Sequence, residues 1–87
     1  MTVPRLAPGV RLSFDGRRDR WMVQAPERVV ILDAIGAAVL AMVDGVADVT
    51  DIITSLAAEY DAPEAEIEAD ILALLEDLTN RGIVINA

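Results

Sequence analysis

Along the chain the spacing of apolar positions changes period near residue 32. Residues 10–14, VRLSF, set Val10, Leu12 and Phe14 against Arg11 and Ser13, and residues 20–24, RWMVQ, set Trp21 and Val23 against Arg20, Met22 and Gln24. Both stretches predict strands with one buried face. Between them DGRRD carries an Asp-Gly hairpin signal, with a glycine able to take positive φ. Ala25-Pro26-Glu27 turns the chain again, and RVVIL at residues 28–32 predicts a third strand. Val29 to Leu32 are apolar in succession, the pattern of a strand covered on both faces. A three-stranded antiparallel meander over residues 9–32 is expected.

From Asp33 the period becomes helical. Asp33 is a suitable N-cap for a helix whose face is Ile35, Ala38, Val39 and Met42, with Gly36 permitting close approach of a neighbour and Gly45 a stop. Asp48 caps a second helix with the face Ile52, Ile53, Leu56, Ala57 and Tyr60. In DAPE, Asp61 to Glu64, an N-cap acid, an early proline and a third-position Glu predict a third helix. Its core stripe is Ile67, Ile71, Leu74, Leu75 and Leu78, and it ends at Gly82. Residues 1–8, with two prolines, read as an extended arm outside the core, and residues 82–87 as an apolar tail. The expected architecture is a single α+β domain, winged-helix-like, with an amino-terminal three-stranded sheet followed by a three-helix bundle.

Composition narrows the possible functions. The 87 residues are 54% hydrophobic, enough for a core, and that core is aliphatic because Phe14, Trp21 and Tyr60 are the only aromatics. Cysteine and histidine are absent, which removes disulfides, thiolate nucleophiles, Cys/His zinc sites and the imidazole base. No apolar run approaches the ~20 residues of a membrane span, and the opening residues lack the order of a signal peptide, so a cytoplasmic protein is expected.

Charge is unevenly divided. Residues 1–28 hold six arginines against Asp15, Asp19 and Glu27, whereas from residue 29 onward Arg81 alone faces twelve acids. A helical half this acidic repels phosphates. Arg17 and Arg18 in the hairpin loop would be the wing of a DNA-binding winged-helix transcription factor, the alternative function. Its second and third helices, however, offer acids where a recognition helix presents Arg, Lys, Asn or Gln.

Acid pairs such as Glu66 with Asp70, and Glu76 with Asp77, read as a solvated helix face, because general acid/base chemistry needs carboxylates in contrasting environments within a pocket. Thr54-Ser55-Leu56 differs from the Asp-Ser-Leu of acidic carrier proteins in lacking the acid and in lying inside a helix. No catalytic residue, metal site or cofactor is expected, and the chain is not expected to be an enzyme.

What remains is the strand at residues 28–32. As the last strand of a meander it has an outer edge whose backbone groups invite another strand, with Arg28 its only charged protection. Three occupants are open: the third helix or the tail IVIN of the same chain, a second copy in a homodimer, or an extended peptide from another protein joining by strand addition.

The order Trp21, Pro26-Glu27, Leu32, an Ala-rich helix, Asp44-Gly45, Ile53, Leu56, Tyr60, Asp70-Ile71 and Gly82 resembles the pyrroloquinoline quinone (PQQ) biosynthesis protein D family, PqqD, over residues 4–86. One departure is Asp33, where the family often has Asn; both residues cap helices. The resemblance implies a peptide chaperone that binds the ribosomally made PQQ precursor peptide and presents it to a radical S-adenosylmethionine cross-linking enzyme. It also implies that the peptide lies as an added strand between the third strand and the third helix. Carried onto this chain, one wall is Arg28, Val29, Val30, Ile31 and Leu32. The other wall is a second strip of the third helix, Ala65, Ala69 and Leu72, flanked by Glu66, Asp70 and Asp77.

Overall fold

The structure, a computed structural model, describes residues 3–86. Its elements in chain order are β1 (Pro4–Leu6), β2 (Arg11–Asp15), β3 (Arg20–Ala25), β4 (Arg28–Leu32), α1 (Ala34–Ala41), α2 (Val49–Glu59), α3 (Glu64–Asn80) and β5 (Val84–Asn86). The architecture is α+β. β2, β3 and β4 form the antiparallel meander, in that order, with Leu12 opposite Val23 and Val23 opposite Val30.

Because side chains alternate across a strand, this register puts Val10, Leu12, Val23, Val30 and Leu32 on one face, where they join the helices. Val23 is fully buried, and the others pack on the same cluster. Phe14 and Trp21 are cross-strand partners with ring centroids 5.0 Å apart, yet both are exposed, because they lie beyond the reach of the helices at the hairpin end. The hairpin turn is built differently from the Asp-Gly expectation. The Asp15 carboxylate accepts the N–H groups of Arg17 and Arg18, and the positive φ (51°) falls on Asp19.

The expected surface arm is instead a core strand. β1 pairs antiparallel with β5, Pro4 opposite Asn86 and Leu6 opposite Val84, and the Ala7 N–H extends the ladder to the Ile83 carbonyl. Pro4 is buried, and as the first residue of its strand it loses no ladder bond that the pair needs. Its carbonyl accepts the Gly45 N–H, which ties the α1–α2 loop to this small sheet. Gly45 has φ +81°, and the Asp44 carboxylate folds over the same loop to accept the N–H groups of Ala47 and Val46. Those two bonds, the Ala47 bond foremost, hold the Asp44 carboxyl below its ordinary pKa.

Asp33 caps α1 through the Gly36 N–H at 2.7 Å, and Asp48 with Asp51 forms a reciprocal capping box on α2. Asp61 does not cap α3. It sits at φ 49° in the turn that ends α2, and α3 begins after Pro63 with no side-chain cap. Two further expectations shift with these boundaries: α1 stops at Ala41, and Tyr60 is an exposed C-cap of α2 instead of a core residue.

Candidate functional site: the edge of β4 and the groove beside α3

Within the described residues β4 pairs with β3 alone. The tail IVIN, one of the occupants considered for its edge, pairs with β1 instead. Nor is β4 covered on both faces. Val30 and Leu32 turn toward the core, while Val29 and Ile31 turn to solvent and are 53% and 49% exposed. A run that is apolar throughout therefore serves two purposes, with one alternate set packing the fold and the other left on the surface.

Beside this edge runs a shallow groove of about 210 Å³. Val30, Ile31, Leu32, Asp33 and Gly36 line one side, and Leu74, Asp77, Leu78 and Arg81 of α3 and its C-cap line the other. Its floor is aliphatic, and its rim carries the Arg81–Asp77 ion pair, Nε to Oδ1 at 3.3 Å. Gly36 keeps the floor low. A Cβ there would come within 3.1 Å of the capping Asp33 Oδ1 and within 3.6 Å of Leu32, so a side chain would crowd the cap and the end of β4 at once.

The structure brings together part of the residue set read from the sequence. Val30, Ile31, Leu32 and Asp77 line the groove, and Arg28 and Val29 continue its strand. Asp70 and Glu66 project on the Leu74–Asp77 side of α3, about one and two turns respectively nearer its start, as 100° steps require. Ala65, Ala69 and Leu72 do not share this wall. Leu72, 46% exposed, lines a separate hollow with Pro4, Val49, Leu75 and Val84 beside the β1–β5 sheet. Helical geometry puts Leu72 about 160° around the axis from Leu74, with Ala65 and Ala69 nearer Leu72.

Leu74, Leu78, Arg81, Asp33 and Gly36 were missed as groove residues. A signal for Leu74 was available: Leu74 and Leu75 are both apolar yet 100° apart, a stripe too broad for one neighbouring element to cover. Among the described residues no group of Asp and Glu is arranged to hold a metal ion.

Comparison with known proteins places the chain in a family. The family model described as coenzyme PQQ synthesis protein D (PqqD) matches residues 20–84. A protein of Rhodopseudomonas palustris (strain ATCC BAA-98 / CGA009) named PqqA binding protein is 45% identical over 84 residues, 97% of this chain and 82% of its own. The solution NMR structure of the PqqD truncation of Methylobacterium extorquens PqqCD is described as a functional, stand-alone recognition element for ribosomally synthesized and post-translationally modified peptides. It superimposes with a TM-score of 0.83 at 46% identity, covering 95% of this chain and 88% of that one. TbiB1, solved in complex with the TbiA(β) leader peptide, shares the fold at a TM-score of 0.79 and 18% identity, over 92% of this chain and 93% of that one. On the family match and on this identity over nearly its whole length, the chain belongs to the PqqD family.

Proposed function

We propose that this protein binds a PqqA-type precursor peptide in PQQ biosynthesis by taking it as a fourth strand on β4, in the groove against α3. The observation that carries the proposal is the edge of β4, unpaired among the described residues, beside an aliphatic groove, in a protein whose relatives are named for binding PqqA. The groove set is Arg28, Val29, Val30, Ile31 and Leu32 with Leu74, Asp77, Leu78 and Arg81. Glu66 and Asp70 extend its acidic flank, and Leu72, Ala65 and Ala69 are left out.

The energetics are sufficient. An added strand makes about four or five ladder hydrogen bonds worth roughly 0.5–1.5 kcal/mol net each, and buries two or three apolar side chains at about 1.5–3 kcal/mol each. Against this stand about 2–5 kcal/mol for ordering the peptide and the loss of its free motion, which leaves a dissociation constant of about 0.1–10 μM.

The role is that of a non-enzymatic cytoplasmic chaperone. Lacking thiols and imidazoles, the chain supplies neither iron–sulfur ligands nor the usual bases, so its contribution is to raise the effective concentration of the peptide at a separate radical S-adenosylmethionine enzyme. Titrating isotopically labelled protein with the precursor tests the site. Amides of Arg28–Leu32 and of α3 from Asp70 to Leu78 should move, and shifts confined to the Arg17–Arg18 loop would sink the groove reading.

A further inference from the structure

Past Val30, the last groove residue of β4 in that direction, the strand runs on to Arg28. There lies a second, larger hollow of about 530 Å³, lined by Pro8, Val10, Ala25, Pro26, Glu27, Arg28 and Gly82. Arg28 walls the hollow and lies two residues along β4 from Val30, which walls the groove. Gly82 adjoins Arg81 of the groove, and a Cβ built on it would meet nothing within 4 Å, so the hollow reaches the bare backbone behind α3.

The sheet register explains the position. Val10 precedes Arg11, which pairs with Gln24, and Ala25 pairs with Arg28, so Val10, Ala25 and Arg28 form a row across the end of the meander. Pro8 and Pro26 close the sides. Neither proline has an N–H, and the walls they make with Val10 and Ala25 are apolar. Glu27 and Arg28 are exposed at the rim, and neither enters an ion pair or side-chain hydrogen bond among the described residues.

Resting on the strand-addition reading above, we infer that this hollow is the exit subsite for the same precursor peptide: it takes an apolar side chain from the segment immediately carboxyl-terminal to the added strand. Two features commit it to that occupant. A strand laid along β4 advances about 3.3 Å per residue, so its residues opposite and just beyond Arg28 pass the Arg28 wall of the hollow. The meander is antiparallel throughout, and a fourth strand that continues the alternation runs against β4, entering at Leu32 and leaving by its carboxyl-terminal end at Arg28. The subsite thus grips the peptide on the side that leads out of the strand.

The probe is synthetic PqqA of Rhodopseudomonas palustris, trimmed one residue at a time from either end, with amide shifts and affinity measured on the labelled protein. Full-length peptide should move Gly9, Val10 and Gly82 together with Val30, Ile31 and Leu32. Trimming the carboxyl side back to the strand should return Gly9, Val10 and Gly82 to their free positions, leave the β4 shifts in place and weaken binding about tenfold, equivalent to ~1.4 kcal/mol. Pro8→Glu, an exposed position, should weaken the full-length peptide by a similar factor and the trimmed one by less than about twofold, because its carboxylate opposes only the apolar side chain in the hollow. If β4 amides move and those of the hollow do not, the subsite is wrong while the groove stands. If trimming the amino end is what frees the hollow, the orientation and the inference with it are wrong. Absence of β4 shifts would remove the groove reading itself.

Discussion

Two short apolar runs in this chain, VVIL at residues 29–32 and IVIN at residues 83–86, would be hard to tell apart by composition, yet they have opposite fates. Ile83 and Val84 are buried, and the strand that Val84 begins is paired along its length with Pro4–Leu6. Val29 and Ile31 stand in solvent on a strand whose outer edge no described residue pairs with. The difference lies in what the rest of the chain supplies. The amino-terminal strand is three residues long, enough to close one edge, and it is spent on the tail. One strand of the pair is therefore structural, and the other is left with a surface to offer.

That contrast can be broken most forcefully by placing a charge in each run. Ile83→Asp should unfold the protein or cost about 4 kcal/mol or more, because an unpaired carboxylate cannot be solvated at a buried position. Ile31→Asp should cost under about 1 kcal/mol, its side chain being half in water already. Denaturant unfolding of the two variants measures the gap, and equal losses would show that β4 is not an open edge.

Proline sharpens the comparison at the level of the backbone. Val30→Pro and Ile31→Pro each delete one N–H, and adjacent residues of a strand point theirs in opposite directions. One variant should keep the fold and lose peptide binding by at least about tenfold, while the other disrupts the ladder to β3 and melts at a lower temperature. Identical behaviour of the two, by calorimetry and peptide titration, would contradict a one-sided ladder.

A smaller effect separates the two sides of α3. Leu74→Asp should weaken the precursor peptide by about tenfold, and Leu72→Asp, directed toward the β1–β5 side, by less than about twofold. Isothermal titration decides it, and the reverse order would restore the strip Ala65, Ala69 and Leu72 as the groove wall.

The smallest effect belongs to the loop that anchors β1. Since hydrogen bonding lowers the folded pKa of Asp44 below its unfolded value of about 3.9, the resulting stability is present above that value and is lost as pH falls through the folded pKa. Asp44→Ala should therefore lower the melting temperature slightly at pH 7 and have no further effect once acid has protonated the wild-type carboxyl. A loss that persists undiminished at low pH would assign the stabilisation to something other than the charged carboxylate.

Much of the fold, and the edge that borders the candidate site, was legible in the sequence. The polarity of residues 10–32 defined the meander, and its order made residues 28–32 an edge. The helical stripes named Val39, Ile52, Ile53, Leu56, Ile67, Ile71, Leu75 and Leu78 as core, all of them buried. Such patterns are legible because burial on one side of a strand or helix imposes a period that local sequence must carry. The breadth of the Leu74–Leu75 stripe pointed to a second neighbour of α3, but not to β4 as that neighbour, because Leu72 and Leu74 are both leucines on a helix with more than one apolar strip, and only packing selects between them.

The sequence by itself determined the three meander strands and the three helices, the aliphatic core, the acidic helical half and the absence of thiol and imidazole chemistry, since these depend on residue identity and short-range spacing. Tertiary structure alone decided that Pro4–Leu6 pairs with Val84–Asn86, that no described residue pairs with the outer edge of β4, that Leu74 and not Leu72 borders it, and that Pro8, Pro26 and Gly82 meet in one hollow. Each of these joins residues far apart in the chain, where no local period records the contact and only the competition among packing partners assigns it.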